Sequence, residues 1–247
     1  MESWGIGIYL VVAYLVAGSV KGLTGMGLPT IAMGIMTLVI DPRSAIALNL
    51  IPMLTSNMWQ LYRAGDLRGV IRRYLPLALV LAVTVWTTVM LTAGAPDRLL
   101  FATLGGAILL FVAVNASSWR PVIPDRLDRP AQGLTGALAG VIGGLTSVWA
   151  PPIVIYLAAR QTPKDEFVRA SGLLLLMGTI PLSLGYVQQG FLTPQAALIS
   201  AALLIPTLLG FTLGEKLRGH LSEVAFRRAL LFAFFVMGVN LLRKAIW

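Results

Sequence analysis

The chain contains no cysteine and only one histidine, and only 12% of its 247 residues are charged. The missing cysteines exclude disulfides, thiolate metal sites and cysteine nucleophiles. The single histidine, His220, lies among basic residues, and the sequence has neither an HExxH nor a GxSxG string. Hydrolytic chemistry needs a nucleophile with a base, or a set of metal ligands. We therefore predict a protein that is not an enzyme, holds no metal and needs no cofactor.

Apolar residues are abundant, at 57% of the chain, and the mean hydropathy is +0.83. One soluble core of this size cannot bury so many apolar side chains, so the composition predicts a membrane protein. No polar stretch is long enough to form a separate soluble domain. Apolar runs recur over nearly the whole length, at residues 6–20, 28–40, 45–61, 74–93, 99–114, 134–148, 153–159, 168–187, 196–213 and 229–242.

Basic residues are unevenly distributed among the links between these runs. The net charge of +9 would also suit a nucleic-acid partner. In a multi-span membrane protein, however, basic residues mark the cytoplasmic links. We therefore predict the lipid bilayer, and no nucleic acid, as a partner. With alternate links assigned to the cytoplasm, 14 Lys and Arg lie inside, four lie outside, and Lys21 lies within a hairpin.

Two segments of the chain are similar to each other. When residues 17–31 are laid over residues 139–153, seven of fifteen positions are identical. Each copy is a glycine-rich stretch that ends in proline: Pro29 in the first, and Pro151 followed by Pro152 in the second. Because proline favours the first turn of a helix, we interpret each copy as a helix that stops, crosses a few irregular residues and restarts.

The charges of the links indicate how the two copies enter the membrane. The links around Arg129 and Lys164 are both predicted inside, so the second copy leaves the cytoplasmic face and returns to it. The turn at Pro42 is predicted outside, so the first copy starts and ends there. We predict an all-α polytopic protein with two inverted-topology repeats, residues 1–118 and 131–247, each a broken helical hairpin plus three transmembrane helices. The rival arrangement, eight plain crossings in two parallel halves, puts basic links on conflicting sides.

Paired breaks in the two halves of a membrane protein indicate a transport site. Irregular backbone at membrane depth has to face protein or a watery cavity, because an unpaired N–H or C=O in hydrocarbon costs several kcal/mol. A helix start presents free N–H groups and a partial positive charge, which attract anions. Two restarts that converge from opposite faces therefore predict an anion site near the midplane.

Lys21 is the residue that we expect to bind the anion. A lysine within a membrane segment is costly, and the second copy has Gly143 at the equivalent position. The alternative is a lysine that extends to the membrane surface from a shallow hairpin. The other candidates are Gly22, Thr24, Gly25, Gly144, Thr146 and Ser147 at the breaks, Trp149 as a cavity wall, and Asn49 and Asn57 in the next helix.

Each polar candidate also has a structural interpretation. The hydroxyl groups could cap helices or bond back to carbonyl groups, Trp149 could serve packing alone, and the asparagines could join helix to helix. All ten acidic residues fall in or near the links, so no carboxylate is placed as a proton relay in a membrane segment would be. An inside-negative potential drives an anion outward by about 2.3 kcal/mol per elementary charge per 100 mV. We therefore predict export without obligatory ion symport.

Four parts of the sequence together resemble a known family. They are the glycine-rich stretch at 18–29, the turn at 41–43, the second copy at 140–152 with its Gly-Gly-Leu-Thr and Pro-Pro, and the Thr-Pro-Lys link at 162–164. These are similar to the TauE/SafE family of sulfite and organosulfonate transporters, and the resemblance covers essentially the whole chain. It implies a multi-pass protein of the bacterial plasma membrane that exports sulfite or a small sulfur-containing organic anion.

The sequence thus predicts a transporter that exposes a small-anion site to each side of the membrane in turn. The alternatives from other classes are a passive anion channel and a non-transporting membrane scaffold whose breaks are packed shut. The sequence leaves open which anion is bound, the direction and coupling ion, whether the protein forms a homo-oligomer, and whether the hairpins are re-entrant or fully spanning.

Overall fold

The computed structural model describes residues 3–24, 27–63, 65, 67–116, 122–217 and 223–246. These residues form eleven α-helices and one 3₁₀ helix, with no strand among them. The all-α class predicted from the sequence is therefore confirmed. The helices are α1 (Ser3–Thr24), α2 (Leu28–Met36), α3 (Pro42–Arg63), α4 (Arg68–Leu91), α5 (Asp97–Ala116), α6 (Asp128–Thr146), α7 (Ala150–Ala159), α8 (Lys164–Gln188), α9 (Pro194–Ala202), α10 (Leu204–Leu217) and α11 (Glu223–Ile246), and the 3₁₀ helix is Asp125–Leu127.

Six helical segments of the described chain are long and apolar enough to cross a membrane. They are α1, α4, α5, α8, the pair α9 and α10, and α11. Their outer faces expose large apolar side chains such as Leu91, Leu198 and Phe232, and a surface of this kind requires lipid. The chain is a multi-pass membrane protein. Helix α3 is as long as α1 but more polar, and its buried side includes Asn49 and Asn57.

Helix boundaries recur at one interval along the chain. Helices α1 and α6 end 122 residues apart (24 and 146), and α2 and α7 begin 122 residues apart (28 and 150), as do α3 and α8 (42 and 164). The packing partners correspond in the same way, because α1 packs along α10 and α6 along α4, while α3 contacts α8 and α5 contacts α11. The two similar sequence segments are separated by the same interval, so both start a run of corresponding helices.

Glycines spaced by four residues allow α1 and α10 to approach closely. Gly18 and Gly22 on α1 face Gly210 and Gly214 on α10. A Cβ added at any of these four positions would lie 2.3 Å or less from a backbone oxygen of the other helix. Small residues at this spacing are typical of helix contacts in membranes. Gly136, Gly140 and Gly144 of α6 also face α4 closely, since a Cβ added at each would lie 2.9 Å or less from an atom of α4.

The first break is shorter than the sequence predicted. We expected irregular backbone over residues 18–29, but α1 continues to Thr24 and α2 begins at Leu28. The extent of that prediction was wrong because the glycines at 18 and 22 serve the contact with α10 inside a regular helix. The prolines lie where a restart needs them, since Pro29 and Pro151 stand in the first turns of α2 and α7.

Candidate functional site

Among the described residues, each break contains one with left-handed backbone conformation. Gly27, which precedes α2, has φ of 94°, and Ser147, which follows α6, has φ of 60°. Glycine adopts this conformation without strain, but for serine it costs about 1–3 kcal/mol. The Ser147 hydroxyl is buried and has no hydrogen-bond partner among the described residues. Strain of this kind concentrates at functional sites.

Residues from both breaks line one cavity of about 90 Å³. The restart of α2 and the restart of α7 therefore meet in space, although their sequences are far apart. The cavity is almost wholly apolar, and Lys21 is not part of its wall. The lining residues are Val20, Thr24, Gly27 and Thr30 from the first break, Ala150, Pro151 and Val154 from the second, and Phe111, Leu230 and Phe234.

Lys21 lies inside the protein, with 1% of its surface exposed. Its Nζ donates hydrogen bonds to Ser56 Oγ at 3.0 Å and to Asn57 Oδ1 at 2.6 Å, both on α3. Within the described part of the chain, none of the ion pairs includes Lys21. An ammonium has three donors, and here two are taken by neutral groups. A buried charge without a counter-ion costs several kcal/mol, so this lysine marks a candidate functional site.

The hydrogen bonds of Lys21 continue from α3 to α8. Asn57 Nδ2 donates to Thr179 Oγ1 at 3.0 Å, and the Thr179 hydroxyl donates to the carbonyl of Leu175. Asn57 and Thr179 are themselves 122 residues apart in the chain. Residues at corresponding positions of the two helix runs thus contact each other, and Lys21 lies beside that contact.

Two more buried donors have no hydrogen-bond partner among the described residues: Asn49 Nδ2 and Trp149 Nε1. The other amide atom of Asn49, Oδ1, accepts a hydrogen bond from Tyr14 at 3.4 Å. A buried polar group without a partner costs about 1–3 kcal/mol. Both groups are therefore candidates for binding a polar ligand.

The remaining sequence candidates have mainly structural contacts. Gly22 and Gly144 lie inside helices at the close helix contacts described above. The hydroxyl groups of Thr24 and Thr146 donate to the carbonyl groups four residues earlier in their own helices, the back-bonding that was the alternative interpretation of these residues. Thr24 also lines the cavity. Gly25 lies outside the described residues.

Ser56 and Thr179 were not among the candidates that the sequence indicated. Ser56 could have been found, because it shares one helix face with Asn49 and Gln60, at spacings of seven and four residues. Thr179 carries no such signal, since a single hydroxyl in an apolar helix is common in membrane proteins. Its contact with Asn57 depends on how α3 and α8 pack.

Ion pairs hold together the links at the two ends of the helix bundle. Arg63, at the end of α3, pairs with Glu215 at 3.0 Å, and Gly22 near the end of α1 packs beside Glu215. At the start of α3, Arg43 pairs with Asp97 at 3.1 Å. The end of α6 lines a small pocket with Arg43. Helices α1 and α6 therefore end at opposite ends of α3.

A third ion pair connects the 3₁₀ helix to the end of α7. The guanidinium of Arg160 lies 2.6 Å from the carboxylate of Asp125. The hydrogen bond from Arg160, together with its positive charge, lowers the pKa of the exposed Asp125 carboxyl group. This pair joins the link before α6 to the end of α7.

Comparison with known protein families identifies the group to which this arrangement belongs. The sequence model described as sulfite exporter TauE/SafE matches residues 10–241, which include both breaks, Lys21 and the Asn57–Thr179 contact. Among curated proteins and among solved structures, none matches the chain significantly. The resemblance drawn from the glycine and proline motifs is confirmed: the chain belongs to the TauE/SafE family of sulfite exporters.

Proposed function

We propose that this protein exports a small sulfur-containing oxyanion, sulfite or an organosulfonate, across the bacterial plasma membrane, and that Lys21 binds it. Proteins of this family are membrane transporters of sulfur anions, not enzymes. The observation that carries the proposal is the buried Lys21 ammonium, whose partners on α3 are both neutral. An anion would supply the missing negative charge, and hydrogen bonds between charged groups are stronger than neutral ones.

We further infer that the halves, residues 1–118 and 131–247, are inverted-topology repeats whose broken hairpins enter from opposite faces. Three helix boundaries recurring after 122 residues support this, as do the ends of α1 and α6 beside opposite ends of α3. The ion pairs also join links that the distribution of basic residues assigns to the same side. Movement of one hairpin against the other would expose Lys21 to each side in turn.

The two helix restarts differ as anion-binding ends. A helix start offers up to four free N–H groups, and α2 loses only one of them, at Pro29. Helix α7 loses two, at Pro151 and Pro152, because proline has no N–H. We therefore assign the charged part of the anion to the first half, close to Lys21 and the start of α2.

The test is transport by the purified protein in liposomes, with isotopically labelled sulfite and a short organosulfonate. Lys21→Met should lower the flux by at least about tenfold, since removing a buried charge partner costs 2–5 kcal/mol of binding. Lys21→Arg should keep part of the flux. The matched control is Lys216→Met, which removes the same charge from an exposed position of α10 and should transport like wild type.

Folding and mechanism are separated by two further readings. Lys21→Met should be at least as stable as wild type, because it removes an uncompensated buried charge. Flux that saturates with sulfite concentration identifies a transporter, whereas linear flux would identify a passive anion channel. Wild-type flux in Lys21→Met would refute the role of Lys21. The absence of any anion flux in the wild type would instead identify the protein as a membrane scaffold.

A further inference from the structure

In the second half of the molecule, a tryptophan side chain takes the space that corresponds to the one taken by a lysine side chain in the first half. At the interval of 122 residues, Lys21 corresponds to Gly143 and Gly27 corresponds to Trp149. The first half therefore carries a long cationic side chain and a bare turn, while the second carries a bare helix position and a large ring. Lys21 and Trp149 are both buried, each with 1% of its surface exposed.

Two glycines make room for the indole ring of Trp149. A Cβ added at Gly143 of α6 or at Gly178 of α8 would lie 2.6 Å from a ring atom. Gly178 corresponds to Ser56, which binds Lys21 in the first half, and it precedes Thr179 in α8. The indole thus fills, against α8, the place that the lysine side chain takes against α3.

Lys21 contacts one residue of a hydrogen-bonded pair, and Trp149 contacts the neighbour of the other. Lys21 donates to Asn57, Asn57 donates to Thr179, and Trp149 packs against the neighbour of Thr179 in α8. The Nε1 of Trp149 is buried and has no partner in the described part of the chain. A buried indole N–H usually has a hydrogen-bond acceptor. Trp149 therefore lacks an expected acceptor, just as Lys21 lacks a counter-ion.

We propose that Trp149 is a specificity-determining residue whose indole N–H donates a hydrogen bond to an oxygen of the sulfur oxyanion that Lys21 binds. This inference rests on the proposed function. Sulfite and sulfonates carry three oxygens, so one oxygen can accept from Trp149 while another contacts Lys21. A halide ion has a single atom for both donors, so it cannot give each donor an acceptor of its own. Lys21 supplies charge attraction for any anion, and Trp149 selects for oxyanions.

Trp149→Phe tests the proposal, because phenylalanine keeps an aromatic ring at this position but removes the N–H together with part of the volume of the indole. The dissociation constant for sulfite should rise about tenfold, the usual effect of losing one hydrogen bond to a charged group, while inhibition by chloride should not change. Trp59→Phe is the matched control, since Trp59 is half exposed, and it should bind sulfite like wild type.

Fluorine NMR gives a reading that packing alone would not change. In protein labelled with 5-fluorotryptophan, the chain gives six resonances, and the one missing from Trp149→Phe belongs to Trp149. Titration with sulfite should shift this resonance in wild type and not in Lys21→Met. The titration itself compares wild type with Lys21→Met, and the tryptophan variant is needed only to assign the resonance.

The outcomes separate the inference from the function on which it rests. Unchanged sulfite affinity in Trp149→Phe, together with an unshifted Trp149 resonance, would overturn the role of Trp149. If Lys21→Met abolished binding at the same time, the proposed function would stand without it. If neither variant changed sulfite binding, both proposals would fail.

Discussion

Lys21, Asn57 and Thr179 form one chain of hydrogen bonds in which every acceptor is neutral. The Asn57 amide accepts from the ammonium and donates onward, so it orients Lys21 and also joins α3 to α8. Hydrogen bonds to a charged group contribute about 1.5–3 kcal/mol each. Asn57 therefore matters to stability mainly because Lys21 is charged.

We predict that the effects of substitutions at Lys21 and Asn57 are not additive. Asn57→Leu should lower the free energy of unfolding by about 2–3 kcal/mol when Lys21 is present, because the buried ammonium loses its shorter hydrogen bond. In the Lys21→Met background the same change should cost less than about 1 kcal/mol. Denaturation in detergent gives the free energy of unfolding of wild type, the two single variants and the double variant. An equal cost of Asn57→Leu in both backgrounds would contradict the coupling.

At the residue scale, the sequence indicates what is unusual and misses what is common. Lys21 could be predicted because a charge within an apolar run is rare. Asn57 was indicated as one of several polar residues in a single apolar run. Thr179 could not be predicted, because a threonine in an apolar helix usually has a structural role alone. Its contact with Asn57 exists only after α3 and α8 have packed.

At the element scale, glycine has two structural roles, and only the first of them was predicted for residues 18–29. Glycine is favoured in irregular turns and also where two helices approach closely. Gly27 has the first role, with its positive φ, whereas Gly18 and Gly22 have the second. The spacing of four residues, repeated at 210 and 214, was the signal that distinguishes them, and it predicts the contact between α1 and α10.

We predict that Gly18→Ala destabilises the protein and that Gly106→Ala does not. A Cβ at Gly18 would lie 2.3 Å from the backbone oxygen of Thr207, whereas at Gly106 of α5 it would meet nothing within 4 Å. Overpacking of this kind costs about 1–3 kcal/mol, while alanine in an open helix position gains up to about 1 kcal/mol. The midpoint of thermal unfolding in detergent measures both, and equal midpoints would contradict the close contact.

At the scale of the whole molecule, the order of helices was predictable from the repeat and the link charges. The interval of 122 residues separates the two similar segments and also three pairs of helix boundaries. The sequence predicted that the two breaks converge, but it did not predict the other walls of the cavity between them. Those walls include Phe111 from α5 and Phe234 from α11. Those residues are near the breaks only because the helices pack around them.

We predict that the starts of α3 and α8 face opposite sides of the membrane. The chain has no cysteine, so Ser44→Cys and Asp165→Cys, both at exposed positions, each create a single thiol without further changes. In intact cells, a membrane-impermeant maleimide should label the thiol at 44 and reach the thiol at 165 only after permeabilisation. Labelling of both from one side would contradict the inverted repeat.

The most direct measurement of the central proposal is the position of the bound anion. Selenite has the shape and charge of sulfite, and its selenium can be located by anomalous diffraction from crystals of the protein. We expect a selenium peak in wild type at a position where an oxygen of selenite lies within hydrogen-bonding reach of Lys21 Nζ, and no such peak in Lys21→Met. A selenium peak away from Lys21, present equally in both proteins, would contradict the proposal that this buried lysine binds the transported anion.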